Sequence, residues 1–275
     1  MKPFDTQRLT EALGQDAMLW RVQAHDELAS TSDAARDAGL AGEPGGLVIY
    51  ADSQTKGRGQ RGNSWVTPAG RDLMFSILLR PTVPTERWPR LTTLAAVAIC
   101  KAIALCVPLR PVIKWPNDLH IGQRKVCGLL AETYTSPEGP FLVLGVGLNV
   151  NTLNFSIDLH HIATSLLQQM PANIHWIERE SLAAAVLMEL TQAMGHWDEG
   201  YNEVLDFYAN WLLDMRDKEK WEVLDVHGVM MSALAEKRKT DPQFTFSKDG
   251  VHPGSEGHLI MASAVLNAWG LKVKI

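Results

Sequence analysis

The sequence predicts an α+β fold: a mixed, largely antiparallel sheet with helices against one face, followed by a short β-α-α segment at the C-terminal end. Three observations predict it. Strand-like apolar runs fall within the first 150 of 275 residues, and helical spacing takes over after Asn151. Two strands, Lys125–Thr133 and Phe141–Val150, flank Tyr134-Thr135-Ser136-Pro137-Glu138-Gly139-Pro140, whose turn chemistry makes them a hairpin.

Each element has its own signal. Apolar residues at helical spacing run from Phe4 to Gly14, and Leu19 to His25 alternates as a strand does. Ser30-Thr31-Ser32-Asp33 offers several N-caps for a helix ending near Gly39. Gly46 to Ala51 and Leu73 to Leu79 are short apolar strands separated by about twenty polar, glycine-rich residues, a connection long enough to suggest a function. A buried helix is expected over Leu91–Cys106 and a strand over Val112–Trp115. Further helices are expected over Leu159–Gln169, Glu178–Trp197 and Tyr201–Trp211. The charged run Met215–Lys220 marks a boundary, dividing the chain into residues 1–218 and 219–275.

Composition narrows the function classes. Apolar residues make up 46% and charged residues 21%, a globular balance without an apolar run of membrane-spanning length. The N-terminal stretch lacks a charged-then-apolar signal, so a cytoplasmic protein without a membrane partner is expected. Cys100, Cys106 and Cys127 form no CxxC pair, which argues against a disulfide framework or a zinc site. The histidines have no ligand-like spacing either, and no residue is assigned as a metal ligand. The net charge of −5 gives no broad footprint for nucleic acid, so any anion site must be local.

Three clusters can build one. Gln54-Thr55-Lys56-Gly57-Arg58-Gly59-Gln60-Arg61-Gly62-Asn63-Ser64-Trp65 combines exposed backbone N–H groups with three cations, a set suited to phosphate or carboxylate oxygens, although a basic surface turn has the same composition. No helix is expected after Trp65, so this is neither a P-loop nor a dinucleotide fingerprint. Lys114-Trp115-Pro116-Asn117-Asp118 brings a strand to a turn that presents an amide and a carboxylate near Lys125; ordinary surface charge would read alike. Gly145-Val146-Gly147-Leu148-Asn149-Val150-Asn151 is a strand whose glycines permit close approach or a bulge.

Taken in order, Ser30-Thr31-Ser32, GRGQRGNSW, KWPNDL, RKVCGLLAE and GVGLNVN resemble the catalytic domain of biotin protein ligases over about residues 19–216. The resemblance implies that biotin and ATP condense to biotinyl-5′-adenylate and pyrophosphate, with Mg2+ assisting. A lysine of a biotin carboxyl carrier domain of a biotin-dependent carboxylase then attacks the acyl carbon. By motif, Thr31 and Gln54, with Ser30 beside them, would bind the biotin head group. Gly57, Arg58, Gly59 and Arg61 would close over biotin and adenylate, and Lys125 would hold the carboxylate and phosphate region. Trp65 would stack on adenine, Asn149 would read its edge, and Gly128 and Gly147 would give room. Asn117 would face the phosphates and metal, and Lys114 would support the site electrostatically. Asp118 would orient or deprotonate the acceptor lysine, so Arg58, Lys125 and Asp118 are the expected catalytic residues. Gln60 and Asn63 stand where some members carry arginine, which shifts adenylate retention onto Arg58 and Arg61. With few apolar contacts and unpaired charges, the loop Ser53–Gly70 is expected to be mobile without ligand.

The two ends differ from the family pattern. About 18 residues precede the catalytic segment, too few for a helix-turn-helix, so a DNA-binding repressor role is not expected. Trp221–Ile275 does not read as the small β-barrel that biotin ligases commonly carry. Asp249-Gly250-Val251-His252-Pro253, between a strand-helix segment and a final helix, resembles the C-terminal end of SGNH (GDSL-type) hydrolases. No partner serine block is recognisable upstream, so the tail is expected to be inert. The alternatives are an SGNH-type esterase using Asp249 and His252, or a biotin or nucleotide binder without full ligase activity; the motifs disfavour a lipoate ligase. The oligomeric state is left open.

Overall fold

The structure, a computed structural model, describes residues 3–66, 68–114, 117–195, 226–246 and 254–268. The chain divides into two compact units, Met1–Pro84 with Leu91–Gly195, and Thr85–Arg90 with His196–Ile275.

The first unit is built on a seven-stranded sheet. Its strands are β1 (Arg21–Leu28), β2 (Leu47–Gln54), β3 (Leu73–Leu79), β4 (Val112–Lys114), β5 (Asp118–Ile121), β6 (Arg124–Ser136) and β7 (Gly139–Leu148), in the order β1-β2-β3-β7-β6-β5-β4. Only β1 and β2 run parallel; the other neighbours are antiparallel, so the fold is the mixed, largely antiparallel α+β class that the sequence predicts. Every position of the interior strand β3 is buried, which explains why Leu73–Leu79 reads as an apolar run broken only by Ser76. Edge strand β1 is mostly exposed and carries Arg21, His25, Asp26 and Glu27, charges that discourage further strand pairing.

Helix α1 (Thr6–Leu13) starts at Asp5, whose side chain accepts from the amides of Gln7 and Arg8, and ends at Gly14 with φ +56°. A 3-10 turn over Gly14–Leu19 delays β1 to Arg21, two residues later than the alternation suggests. Helix α2 (Thr31–Leu40) is capped by Ser30 and packs Ala35 with Leu47, Ile49, Leu78, Phe141 and Val143. A Cβ on Gly39, in the last turn of α2, would lie 2.3 Å from the Phe141 ring, so this glycine is set by close packing. Helices α3 (Arg90–Cys106) and α4 (Arg179–Gly195) complete the unit. At the start of α4 the buried Arg179 donates to Asp52 at 2.6 Å and to the Tyr50 hydroxyl, while Tyr50 stacks on Phe4. Burial pushes the Tyr50 phenol up, so it stays a neutral donor to Asp52.

Three expectations about elements are corrected. The β6–β7 hairpin is tighter than its turn-rich sequence suggests: Ser136 pairs with Gly139, leaving only Pro137-Glu138 as the turn, with Gly139 at φ +115°. Asp118–Ile121 is a strand as well, joined to β6 through Gly122, whose φ of +60° supplies the turn. The helix expected over Leu159–Gln169 is absent; turns precede a 3-10 turn at Leu167–Gln169. Backbone pairing has displaced it. Ile162 accepts from the Lys125 amide, Thr164 donates to Lys125, and Leu166 and Leu167 donate to Asn149 and Val150.

In the second unit, α5 (Val226–Arg238) packs against α6 (Ser255–Ala268), with a 2.6 Å ion pair between Lys237 and Glu256. The strand that opens the expected C-terminal β-α-α segment, the Tyr201–Trp211 helix and the Asp249 and His252 pair lie largely or wholly outside the described residues. Among the described residues, no helix is long and apolar enough to cross a membrane.

Candidate functional site

The polar floor of the site comes from three elements. Ser30 ends the β1–α2 connection as the N-cap, accepting from the Asp33 amide, and this places Thr31 and Ser32 in the buried first turn. Strand β2 runs past its expected end to carry Gln54 to the same spot, where its Oε1 accepts from the Thr31 amide at 2.7 Å and from its hydroxyl at 3.2 Å. That leaves the Gln54 amide group as a donor. Ser76 of β3 completes the floor, 2.8 Å from the Thr31 hydroxyl and 3.0 Å from that of Ser32. A Cβ at Gly145 would stand 2.8 Å from the Ser32 oxygen, so the neighbouring strand must be bare there.

The glycine-rich run is a small hairpin over this floor. The Trp65 amide donates to Gly57, that of Gly59 donates to Asn63, and Arg58 bridges to Ser64 around a 3-10 turn at Gln60–Gly62. A Cβ at Gly57 would meet the Trp65 carbonyl at 2.3 Å, so the hairpin closes only with glycine there. Thr55 and Lys56 tie its base to Leu28 and Ala29.

Arg58 is not the unpaired charge that the sequence suggests. Its Nη1 and Nη2 donate to the two carboxylate oxygens of Glu132 on β6 at 2.9 and 2.7 Å, and Nη2 also lies 3.3 Å from Asp33. Burial works against the guanidinium charge, but the neighbouring Tyr134, Glu132 and Asp33 side chains outweigh it and push its pKa up. Lys125 is likewise paired, its Nζ 2.7 Å from Asp118 Oδ1 and 5.4 Å from the Trp65 ring centre. The indole lies against two bare stretches of sheet: a Cβ at Gly147 would be 2.4 Å from Trp65 Cε2, and one at Gly128 2.9 Å from both the indole and the Lys125 Nζ. Arg58 Nε and Trp65 Nε1 are buried N–H donors without an acceptor.

Residues of all three clusters line one small, partly open cleft. Of the sequence-predicted residues, Thr31, Gln54, Arg58, Gly59, Trp65, Asn117, Lys125, Gly128 and Gly147 line it. Asn117 donates its Nδ2 to the Leu129 carbonyl at 2.8 Å, which binds the turn to β6. The others stand apart. Ser30 is committed to capping α2, and Gly57 lines the groove on the outer side of the hairpin. Lys114 is exposed on β4, and the buried Asn149 gives its Nδ2 to the Thr164 carbonyl. Asp118 is in contact with Lys125 and is absent from the cleft lining, and the Arg61 side chain lies outside what the structure describes.

Sequence reasoning missed Ser76, Glu132, Asp33 and Asp72. Ser76 had a signal, as the lone polar residue in an otherwise apolar strand. Asp72 accepts from the amides of Val150, Asn151 and Thr152 and from the Thr152 hydroxyl, fixing the chain just after Asn149. Among the described residues, no group of three or more His, Cys, Asp or Glu side chains suits a metal ion, and the carboxylates of the cleft are already paired with Arg58 and Lys125. A resident divalent cation therefore does not fit this donor set.

The chain is similar to known proteins over the part that carries this cleft. The model of the biotin/lipoate A/B protein ligase family matches residues 27–149. The biotin (acetyl-CoA-carboxylase) ligase of Mycobacterium tuberculosis is 32% identical over 203 residues, covering 71% of this chain and 72% of that protein. The bifunctional ligase/repressor BirA of Bacillus subtilis is 36% identical over 162 residues, 58% of this chain but 48% of the relative, so the chain spans about half the length of that protein. Among solved structures, the biotin protein ligase from Aquifex aeolicus in complex with biotin and ATP is 27% identical with a TM-score of 0.57, over 65% of this chain and 72% of that one.

Proposed function

Because the chain belongs to the biotin/lipoate A/B protein ligase family, we propose that it is an ATP-dependent biotin protein ligase. It would form biotinyl-5′-AMP and transfer the biotinyl group to a lysine of a biotin carboxyl carrier domain. What supports this reading most is one cleft lined by the polar groups of Thr31, Ser32 and Gln54, two cations at Arg58 and Lys125, and an aromatic face at Trp65.

In the first step a biotin carboxylate oxygen attacks the α-phosphorus of ATP, and pyrophosphate leaves. Both reactants are anions, so the N–H donors of Lys125 and Arg58, each oriented by a carboxylate, would meet their oxygens where charge develops. Gln54 and Thr31 would bind the uncharged head group, and the indole of Trp65 would take the adenine face. Mg2+ would arrive with the nucleotide phosphates and offset their charge. In the second step the acceptor amine attacks the acyl carbon and AMP leaves, with Asp118 taking the amine proton. A cytoplasmic location, a domain boundary near Lys218 and the absence of a nucleic-acid partner belong to the same proposal.

The test is transfer of labelled biotin to an isolated carrier domain with ATP and Mg2+. Labelling of the acceptor lysine with biotin but not lipoate is expected. A chain that binds biotin yet leaves the carrier unlabelled would be a binder and not a ligase.

A further inference from the structure

Arg58 reaches out of the hairpin to a residue 74 positions away in the chain. Glu132 follows Gly128 and Leu130 on the same face of β6, so its carboxylate stands beside the cleft, level with the hairpin. It takes both Nη groups end-on, the geometry in which an arginine and a carboxylate fix each other's orientation. Asp33, in the first turn of α2, holds the same Nη2 from the other side and is itself held by Arg36 at 2.9 Å. The guanidinium is thus locked through its Nη atoms while its buried Nε–H has no acceptor. A donor left buried in this way is costly unless a ligand atom meets it.

We propose that Glu132, assisted by Asp33, is a positioning residue that tethers the Gly57–Trp65 hairpin over the cleft and turns the Nε–H of Arg58 toward the bound intermediate. The inference rests on the ligase reading for what is bound, but the tether itself does not depend on it. Glu132 touches no reacting atom; it acts through Arg58.

The experiment compares wild type, Glu132→Gln, Arg58→Ala and the double variant in the full chain, reading the escape of labelled biotinyl-adenylate and the affinity for biotin. Glu132→Gln keeps the shape but removes the charge, and a roughly tenfold faster escape is expected with biotin affinity within about twofold of wild type. Arg58→Ala should leak at least as fast, and adding Glu132→Gln to it should change the rate by less than about twofold, because the two residues act as one unit. Glu132→Asp should recover part of the retention. Unchanged escape in Glu132→Gln, or effects that multiply in the double variant, would overturn the proposal. If Glu132→Gln does not fold, Asp33→Asn replaces it, with an expected escape about two- to threefold faster and no change as the contrary result. Should the wild type form no adenylate, the ligase reading fails, and tryptic cleavage between Lys56 and Arg61 without ligand decides the tether. Cleavage about fivefold faster in Glu132→Gln supports it, and equal rates overturn it.

Discussion

Lys125 Nζ and Asp118 Oδ1 lie 2.7 Å apart between the paired strands β5 and β6. The cation that would receive the biotin carboxylate and the base that would activate the acceptor lysine are therefore one ion pair, and the two half-reactions share it. Replacing Asp118 should separate them. In Asp118→Asn, transfer to the carrier is expected to fall about 100-fold, the scale of general-base catalysis, while adenylate formation changes by less than about threefold. Parallel assays of pyrophosphate exchange and carrier labelling check this, and equal losses in both would assign Asp118 to orienting Lys125.

The indole of Trp65 rests where a Cβ at Gly147 would come within 2.4 Å of Cε2. Gly147→Ala should displace the ring and raise the KM for ATP by about tenfold, since small misplacements of a binding group are costly. The KM for biotin, set by the floor at Thr31 and Gln54, should stay within about twofold. Steady-state kinetics with each substrate varied would separate the two.

Asp72 holds three consecutive backbone amides and the Thr152 hydroxyl. Asp72→Ala would orphan those buried groups and is expected to cost about 2–4 kcal/mol of stability, measured by denaturant unfolding. A loss below about 1 kcal/mol would mean that the chain after β7 finds other partners.

His120 has its pKa lowered from the ordinary 6.5, first by burial and then by Lys114, against the opposing pull of Asp118 and the Gln123 backbone; Lys125 adds a smaller lowering. The folded state thus binds this proton less tightly than the unfolded chain. Its contribution is complete above pH 6.5 and is lost as the pH falls through the depressed value. As the pH falls below 6.5 the Tm of the wild type should drop more than that of His120→Gln, and parallel curves would contradict the assignment.

The three clusters around Arg58, Asn117 and Gly147 were legible because each concentrates unusual chemistry within a few residues: glycines beside cations, or an amide after a proline. Their convergence depends on strand register, which local patterns do not contain. The same limit hid Glu132, a carboxylate on an alternating strand that looks solvated until β6 places it opposite Arg58. The sequence therefore suggested a concentrated cationic site, whereas the two cleft cations among the described residues, Arg58 and Lys125, are each paired with a carboxylate. Leu159–Gln169 failed for a related reason. Its helical spacing was real, but its backbone groups bond to Lys125, Asn149 and Val150 instead.

The most direct test of the central claim is biotin-dependent exchange of labelled pyrophosphate into ATP by the full chain. The account predicts exchange with biotin and none with lipoate, together with a loss of about 100-fold or more in Lys125→Ala. Biotin binding without exchange, or exchange that survives the loss of Lys125, would contradict it.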